Sequence, residues 1–509
     1  MKGFILISLS ISLLIAGQAS GVCEPNIPGD ITKDCKVDYN DVGLLSADWL
    51  MKGPVEQWLA RYNRPGDTSD SAHAIAIDSN DNICVTGGGW TYWEDEDIIT
   101  IKYSPDSNQP VWVATYNSPD DEDDSGYAIA IDSKDNIYVT GSSFNIDTCQ
   151  EDIITIKYSP DSNQPVWVAR YNGPDDDSDA STAMAIDSDD NIYVTGYSLG
   201  SGTEWDCLTL KYSPDSNQPV WVARYNGPDN DSDNGMGIAI DSDDNIYVTG
   251  NSYDDYLTIK YSADSNQPVW VARYNNGGGL AIAIDSNDNI YVTGESYSSE
   301  TSADCLTLKY SPDSNQPVWV ARYNGPDNDL DEPYAIAVDS HNNIYVTGSS
   351  NSSQTSEDYL TIKYSPDSNQ AVWVARYNGP GNGVDGAAGI TTDSNDNIYV
   401  TGFSYGSGTD IDYATIKYSP DSNQPAWVAR YNGPGNDDDP SAIGIDSNDN
   451  IYVTGGSGGD YTTIRYTPFC SAATAADINN DCKVDLTDFA ILALDWLECD
   501  LDPPQDCWQ

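Results

Sequence analysis

Eight copies of one unit of about 54 residues fill the middle of the chain, and no feature constrains its fold more. Each copy carries W-V-A-R-Y-N, A-I-A-I-D-S, N-I-Y-V-T-G and L-T-I-K-Y-S, or close variants. The V-T-G threonines fall at Thr86, Thr140, Thr195, Thr249, Thr293, Thr347, Thr401 and Thr454. Their spacings are 54, 55, 54, 44, 54, 54 and 53, so one unit has lost ten residues and the rest keep register. Four short β-rich runs in a repeat of this length describe a propeller blade. The expected fold class is all-β, an eight-bladed β-propeller of four-stranded blades over residues 55–467.

Within a unit apolar residues alternate with period two, which predicts half-buried strands. In the sixth copy, residues 335–338 are small or branched on both faces and suit the crowded innermost strand. Residues 344–347, 359–364 and 373–377 follow as second, third and outermost strands. The links D-S-N-D-N and S-P-D-S-N-Q-P are turn chemistry, because Asp and Asn fold back on their own backbone and Pro fixes φ. The first recognisable strand, 58–63, is of the outermost type and the last, 462–466, is of the third type. The N-terminal strand must therefore complete the last blade, which closes the ring and removes an exposed edge.

These repeats resemble the bacterial β-propeller repeat family SBBP over about residues 56–467. The resemblance implies a secreted or surface propeller with no assigned catalytic residues. The turn Ser104-Pro105-Asp106-Ser107-Asn108, followed by Trp112, also resembles the Asp-box turn of sialidases, which is structural wherever it occurs. First-to-second and third-to-fourth links are short and nearly invariant. The other two, such as 174–179 and 196–206, are long and variable and share one face. Such variation suits a binding surface, and equally an unconstrained loop.

The chain holds 81 acidic against 22 basic residues, a net charge of −59, and only 12 of the acids are Glu. Such a charge argues against nucleic acid, whose phosphates need Lys and Arg, and disfavours anionic membrane surfaces. Hard cations, calcium above all, are favoured because they take oxygen ligands. A solvated Asp-rich surface suited to solubility or high salt accounts for the same excess. Lys2, the apolar stretch 4–16 and Gly17-Gln18-Ala19 read as a signal peptide over 1–21. The mature protein is then expected to be secreted, extracellular or attached at the cell surface, with no membrane span.

Ten cysteines suit an oxidising compartment. Cys23 with Cys35, Cys470 with Cys482, and Cys499 with Cys507 are candidate disulfides in the flanks. Cys84, Cys149, Cys207 and Cys305 mostly replace Tyr or sit in a loop.

The flanks, 22–52 and 468–509, carry the motif with definite chemistry. Asp30, Thr32, Asp34, Lys36, Asp38 and Asp41 stand at positions 1, 3, 5, 7, 9 and 12 of an EF-hand loop, and Asp477, Asn479, Asp481, Lys483, Asp485 and Asp488 repeat the set. The two lysines offer backbone carbonyls and the others offer side-chain oxygens, the arrangement that binds Ca2+. Matching helical stretches follow, with Asp48-Trp49-Leu50 answered by Asp495-Trp496-Leu497. Both ends resemble the half-repeats of dockerin type I domains, which implies a cohesin-like partner and a small α-helical module formed from both termini. Two features depart from that pattern. Cys35 and Cys482 replace the usual Gly at position 6, a strain of about 1 kcal/mol that a disulfide could offset. Tyr39-Asn40 and Leu486-Thr487 stand where cohesins are read, so no particular cohesin follows. Ring closure would bring the tethers 51–54 and 467–476 to one blade edge, opposite the variable loops.

Catalytic signals are thin. His73 and His341 read as surface residues without motif partners. Arg61, Arg170, Arg224, Arg273, Arg322, Arg376 and Arg430 recur on outer strands, where they pair with acidic neighbours or cover the sheet. The ring Asp78, Asp132, Asp187, Asp241, Asp285, Asp339, Asp393 and Asp446 helps fold the turns or lines a cation site at the channel mouth. The expected function is a secreted, non-catalytic binding or scaffold protein. Its loop face would take a polysaccharide or a protein, and its calcium module would anchor it to a cohesin-like receptor. The alternatives are a carbohydrate-active enzyme, hydrolase or lyase, and a purely structural adhesion protein.

Overall fold

A computed structural model of the chain describes residues 56–467, except short segments at 65–66, 92–95, 120–121, 175, 298–301, 354 and 436. The signal segment, both calcium loops with all twelve proposed ligands, the flanking helices and the six flanking cysteines lie outside the described residues. Thirty-two strands form eight antiparallel four-stranded sheets. Blades one to seven span 67–116, 124–171, 179–225, 233–275, 277–323, 331–377 and 385–431, each running from inner to outer strand in sequence order. Blade eight takes three strands from 438–466 and its outer strand, Glu56–Tyr62, from the N-terminal end. Inner strands pack on one another around the ring, and that of blade one meets that of blade eight. Closure is therefore as the strand types require.

The half-buried expectation does not hold for the second and third strands. Asp97–Tyr103 is buried at every residue, as is Ile137–Ser143 within its strand. Each blade is sandwiched between two others, so period two distributes side chains between two neighbours and not between core and water. Hydrophobic clusters accordingly straddle the joints. Cys84, Ile98 and Ala114 of blade one pack with Ile137, Val139, Ile154, Ile156 and Tyr158 of blade two. Threonines meet across the buried hairpin, as Thr347 with Thr361, which satisfies their hydroxyls.

One joint shows how the repeat holds itself together. Trp221 of blade three lies between Tyr193 of its own blade and Tyr261 of blade four, with centroids 5.8 and 6.0 Å away. Its Nε1 donates to the Ala263 carbonyl in blade four's third-to-fourth turn, and Lys211 Nζ donates to the same oxygen from above the Tyr193 ring. In return, Asn266 of that turn donates to the Val222 carbonyl of blade three. Trp112, Trp167, Trp270, Trp319 and Trp373 repeat the bond to the next blade, and Trp58 carries it across the closure to Pro105. For Trp427 the equivalent carbonyl belongs to Pro468, outside the described residues.

The first-to-second turns add a second belt. Ser79 donates N–H and Oγ to Asp135 of the next blade at 2.9 and 2.8 Å, and the pattern repeats until Ser447 reaches Asp81. The acceptor sits at φ near +60° in every blade, from Asp81 to Asp449, with Asn342 in blade five's partner. Asp and Asn tolerate that left-handed conformation best after Gly. Among the described residues there is no helix, so none is long and apolar enough to cross a membrane.

Candidate ligand-binding face

Several sequence-predicted residues are consumed by structure. Asp132, of the repeated Asp ring, accepts from the Lys134 and Asn136 amides, the Asn136 side chain and the Tyr138 hydroxyl. The ring folds its turns, and its eight aspartates are buried. In blade one Cys84 replaces the tyrosine, and Lys102 comes to 2.8 Å from Asp78, against 3.9 Å for Lys211 and Asp187. Burial alone would raise the Asp78 carboxyl, but bonds from Lys102, Asn82 and Asn80 outweigh it and hold it below its ordinary value. All seven outer-strand arginines pair with an aspartate that opens the third strand, from Arg61 with Asp460 at 2.7 Å to Arg273 with Asp255 at 3.1 Å. Blade one has Thr115 in the arginine position, and there Arg64, from the preceding link, takes Asp97. Among the described residues Cys84, Cys149, Cys207 and Cys305 are free, and all but Cys149 are buried.

His341 is exposed in its turn, with Nδ1 2.6 Å from Asp396 of the next blade and Asp339 nearby. Blade two holds Lys134 in the same place, bonded to Asp190, and blade one holds Asn80, bonded to Asp135. The group is a variant of the serine belt, with a side-chain donor added, and this makes a metal role unnecessary. His73 does not lie in a loop. It sits in the inner strand Asp67–Ile77, half-buried, stacked on Tyr127 of blade two with centroids 5.9 Å apart.

His73 marks a position that sequence reasoning missed. Every inner strand has a register shift that leaves one residue unpaired, just before the A-I-A-I segment. Those residues are His73, Tyr127, Thr182, Met236, Leu280, Tyr334, Ala388 and Ser441. A bulge re-aims its side chain, and bulges concentrate beside functional sites. Here they lie on the innermost strands, partway between the variable links and the constant turns. The signal was present: one freely varying residue directly before an otherwise constant segment.

The variable links are shorter than expected. The segment read as a loop from 196 to 206 is mostly strand, since Ile192–Leu199 pairs with Trp205–Tyr212 and leaves only 200–204. Hairpin pairing continues because each added pair satisfies backbone groups otherwise left to water. Blade four has a two-residue hairpin turn, Tyr253-Asp254 between Ser252 and Asp255. The same two-residue turn in blade eight is Gly458-Gly459.

Carboxylates are the other constituent. Asp124 and Asp179, which open inner strands, are pushed up to about 6 by burial, although each accepts a backbone N–H. Glu96 is pushed up to about 7, first by burial and then by Asp123, Glu151 and Asp124, against a bond from Ser125. Further round, Tyr297 donates to Glu295 and Tyr334 to Glu332. That hydrogen bond, with burial and neighbouring carboxylates, moves the Tyr297 phenol to about 12. A shallow, solvent-open dent lies beside Tyr253, lined by Gly227, Asp229, Asp231, Asp233, Ser252 and Arg273. Exposed phenol rings alternating with carboxylates can stack a ligand's apolar faces and accept bonds from its hydroxyls or amides.

Five segments, 112–145, 166–202, 220–256, 318–353 and 426–462, match the SBBP family, described as a beta-propeller repeat. No curated protein matches the chain in sequence. Among solved structures it is similar to the Dos1 propeller, with a TM-score of 0.54 at 10% identity over 80% of this chain and 95% of that one. It is also similar to the computationally designed Ika8 protein, with a TM-score of 0.50 at 10% identity over 79% and 97%. At such identity the likeness speaks for the fold alone.

Proposed function

We propose that this chain is a secreted, non-catalytic binding protein whose loop face holds an extracellular polysaccharide while a calcium module formed by its two flanks anchors it to a cohesin-like partner. One observation carries the binding half. The contacts that hold the ring recur from blade to blade, whereas the bulged residues and their neighbours on the loop face differ in nearly every blade. A scaffold that repeats its joints and varies one face is organised as a binding surface. A protein ligand is the competing occupant. The test is retention of the purified full chain on a panel of insoluble polysaccharides and extracellular proteins, with the supernatant assayed for released sugar. Retention without product supports the proposal; retention on no member of the panel sinks it.

The anchoring half is supported by register. Glu56 is paired directly opposite Tyr466, so the first and last described strands end side by side. Neighbouring strands lie about 5 Å apart, and short tethers let both loops meet in one module. Calorimetry on the full chain is expected to count two Ca2+ sites, lost in a variant carrying Asp34→Ala and Asp481→Ala. Absence of a calcium-binding heat in the native chain would end this part of the reading.

A second reading, glycoside cleavage, is favoured by Glu96, whose raised carboxyl beside Asp123 and Glu151 has the character of a general acid. Glu96→Gln would then abolish product formation while retention persists.

A further inference from the structure

We infer that a strip of tyrosines and carboxylates across blades four, five and six is the ligand-contacting part of the loop face, and that it takes a neutral polysaccharide. The inference rests on the binding reading above and assigns it a place and a chemical class.

Its location follows from where the repeat is broken. The link from blade four to blade five is Asn276 alone, between Asn275 and Gly277, in the unit that lost ten residues. Blade four also has the two-residue hairpin. Both connections of the loop face are thus short at blade four. Three of the four exposed tyrosines among the described residues lie there, Tyr253 58%, Tyr297 52% and Tyr334 42% exposed on consecutive blades, the fourth being Tyr127 of blade two at 38%.

Backbone bonds tie its parts together, since Tyr297 N–H donates to the Asn276 carbonyl at 3.0 Å and Gly277 N–H to the Asp254 carbonyl at 2.6 Å. Tyr297 of blade five feels the charge of Asp254 from blade four and of Glu332 from blade six. Glu332 in turn accepts from Tyr334, which also feels Glu357. The recess beside Tyr253 extends it outward, and Asp255 there is 25% exposed, more than any other aspartate in the seven outer-strand arginine pairs.

Tyr253 supplies an independent sign. Its φ is +56°, the same value as Gly458 at the equivalent place in blade eight. A bulky residue in that region is strained, and such outliers concentrate where a side chain is needed for contact. Glycine satisfies the turn in blade eight, so the turn does not require the ring.

The chemistry selects the ligand. From Tyr253 to Tyr334 the strip presents phenols and carboxylates, and Arg273 in the bordering recess is paired with Asp255, which disfavours uronic, sulfated or phosphorylated polymers. Phenol faces stack on the apolar faces of pyranose rings, and carboxylates accept from sugar hydroxyls. Three platforms on successive blades suit a chain of sugars better than one sugar.

The test is affinity electrophoresis of the full chain in soluble xyloglucan, glucomannan, galactomannan and mixed-linkage β-glucan, with polygalacturonate and polylysine as charged probes. At least one neutral polymer is expected to retard the native chain, with little dependence on salt. Tyr253→Ala, Tyr297→Ala and Tyr334→Ala should each weaken retardation roughly two- to tenfold. Val269→Ala, an exposed change on the turn side of blade four, should leave it unchanged. Thermal melting of each variant checks that the fold is intact. Retardation that survives loss of all three rings overturns the strip and leaves loop-face binding standing. Response to polylysine alone overturns the neutral class, and no response to any probe overturns both readings.

Discussion

The two faces of the ring are built from the same repeat and differ in what their side chains are for. On the turn face a recurring set of polar groups is paired within its own turn or with the next blade. Ser133, for example, donates N–H and Oγ to Asp190, and Asn163 donates to the Val113 carbonyl. The inner-strand bulges and the hairpin tips of the loop face carry side chains that the ring does not need, such as Tyr253 and Tyr334. Repetition here reports mechanical necessity, and variation reports freedom from it.

The largest expected effect lies in the joints. Trp221→Ala should cost about 3–5 kcal/mol, because it empties a sandwich between two rings and removes one of the two donors to the Ala263 carbonyl. Urea unfolding measures it, and a loss similar to that of a loop-face tyrosine would erase the distinction between faces. Next comes the serine belt. Asp135→Ala should cost about 2–3 kcal/mol, combining orphaned donors on Ser79 with a Cβ residue forced to φ +63°. Asp135→Asn should change stability by less than about 0.5 kcal/mol, since Asn342 already serves in that role. Equal losses for the two variants would show that charge, not hydrogen bonding, holds the belt.

The response to pH sharpens the comparison further. Asp124 and Asp179 have folded-state values near 6, above the ordinary aspartate value of 3.8. The folded state therefore binds more protons than the unfolded chain between those values, and their contribution to stability is lost as pH rises through about 6. Self-repulsion at a net charge of −59 acts in the same direction. Melting temperature should be higher at pH 5 than at pH 8; a rise toward pH 8 would contradict the burial of these carboxylates. Asp78 acts oppositely, since its lowered value gives stability that disappears only under more acidic conditions. The smallest effect is the most telling. Tyr253→Gly should raise stability by up to about 1 kcal/mol through relief of the left-handed strain, while weakening polysaccharide retardation. A destabilised variant would mean that the ring packs for structure.

Much of the fold was legible in the residues. Strand type at the two ends predicted that Glu56–Tyr62 completes blade eight, and the outer-strand arginines were read as partners of nearby acids. The turn role of the repeated Asp ring was one of two readings left open, and Asp132 decides it. The two-sided burial of second and third strands was not legible, because period two looks the same whether the far side meets water or another blade. Nor was the bulge at His73, since a register shift depends on how two strands pair and not on either alone. The calcium loops are read from spacing and lie outside the described residues.

The number of blades, the order of strands and the seam that joins the ends were decided by the chain itself, since periodicity, strand type and turn chemistry act within one unit. Neighbours across units were decided only when the sheets packed face to face in a closed ring. Ser447 against Asp81, 366 residues apart, and Tyr297 within reach of charges from two other blades are products of that closure. Short-range preferences can write a repeat, but a surface that recognises a ligand is assembled from residues that only the geometry of the ring brings side by side.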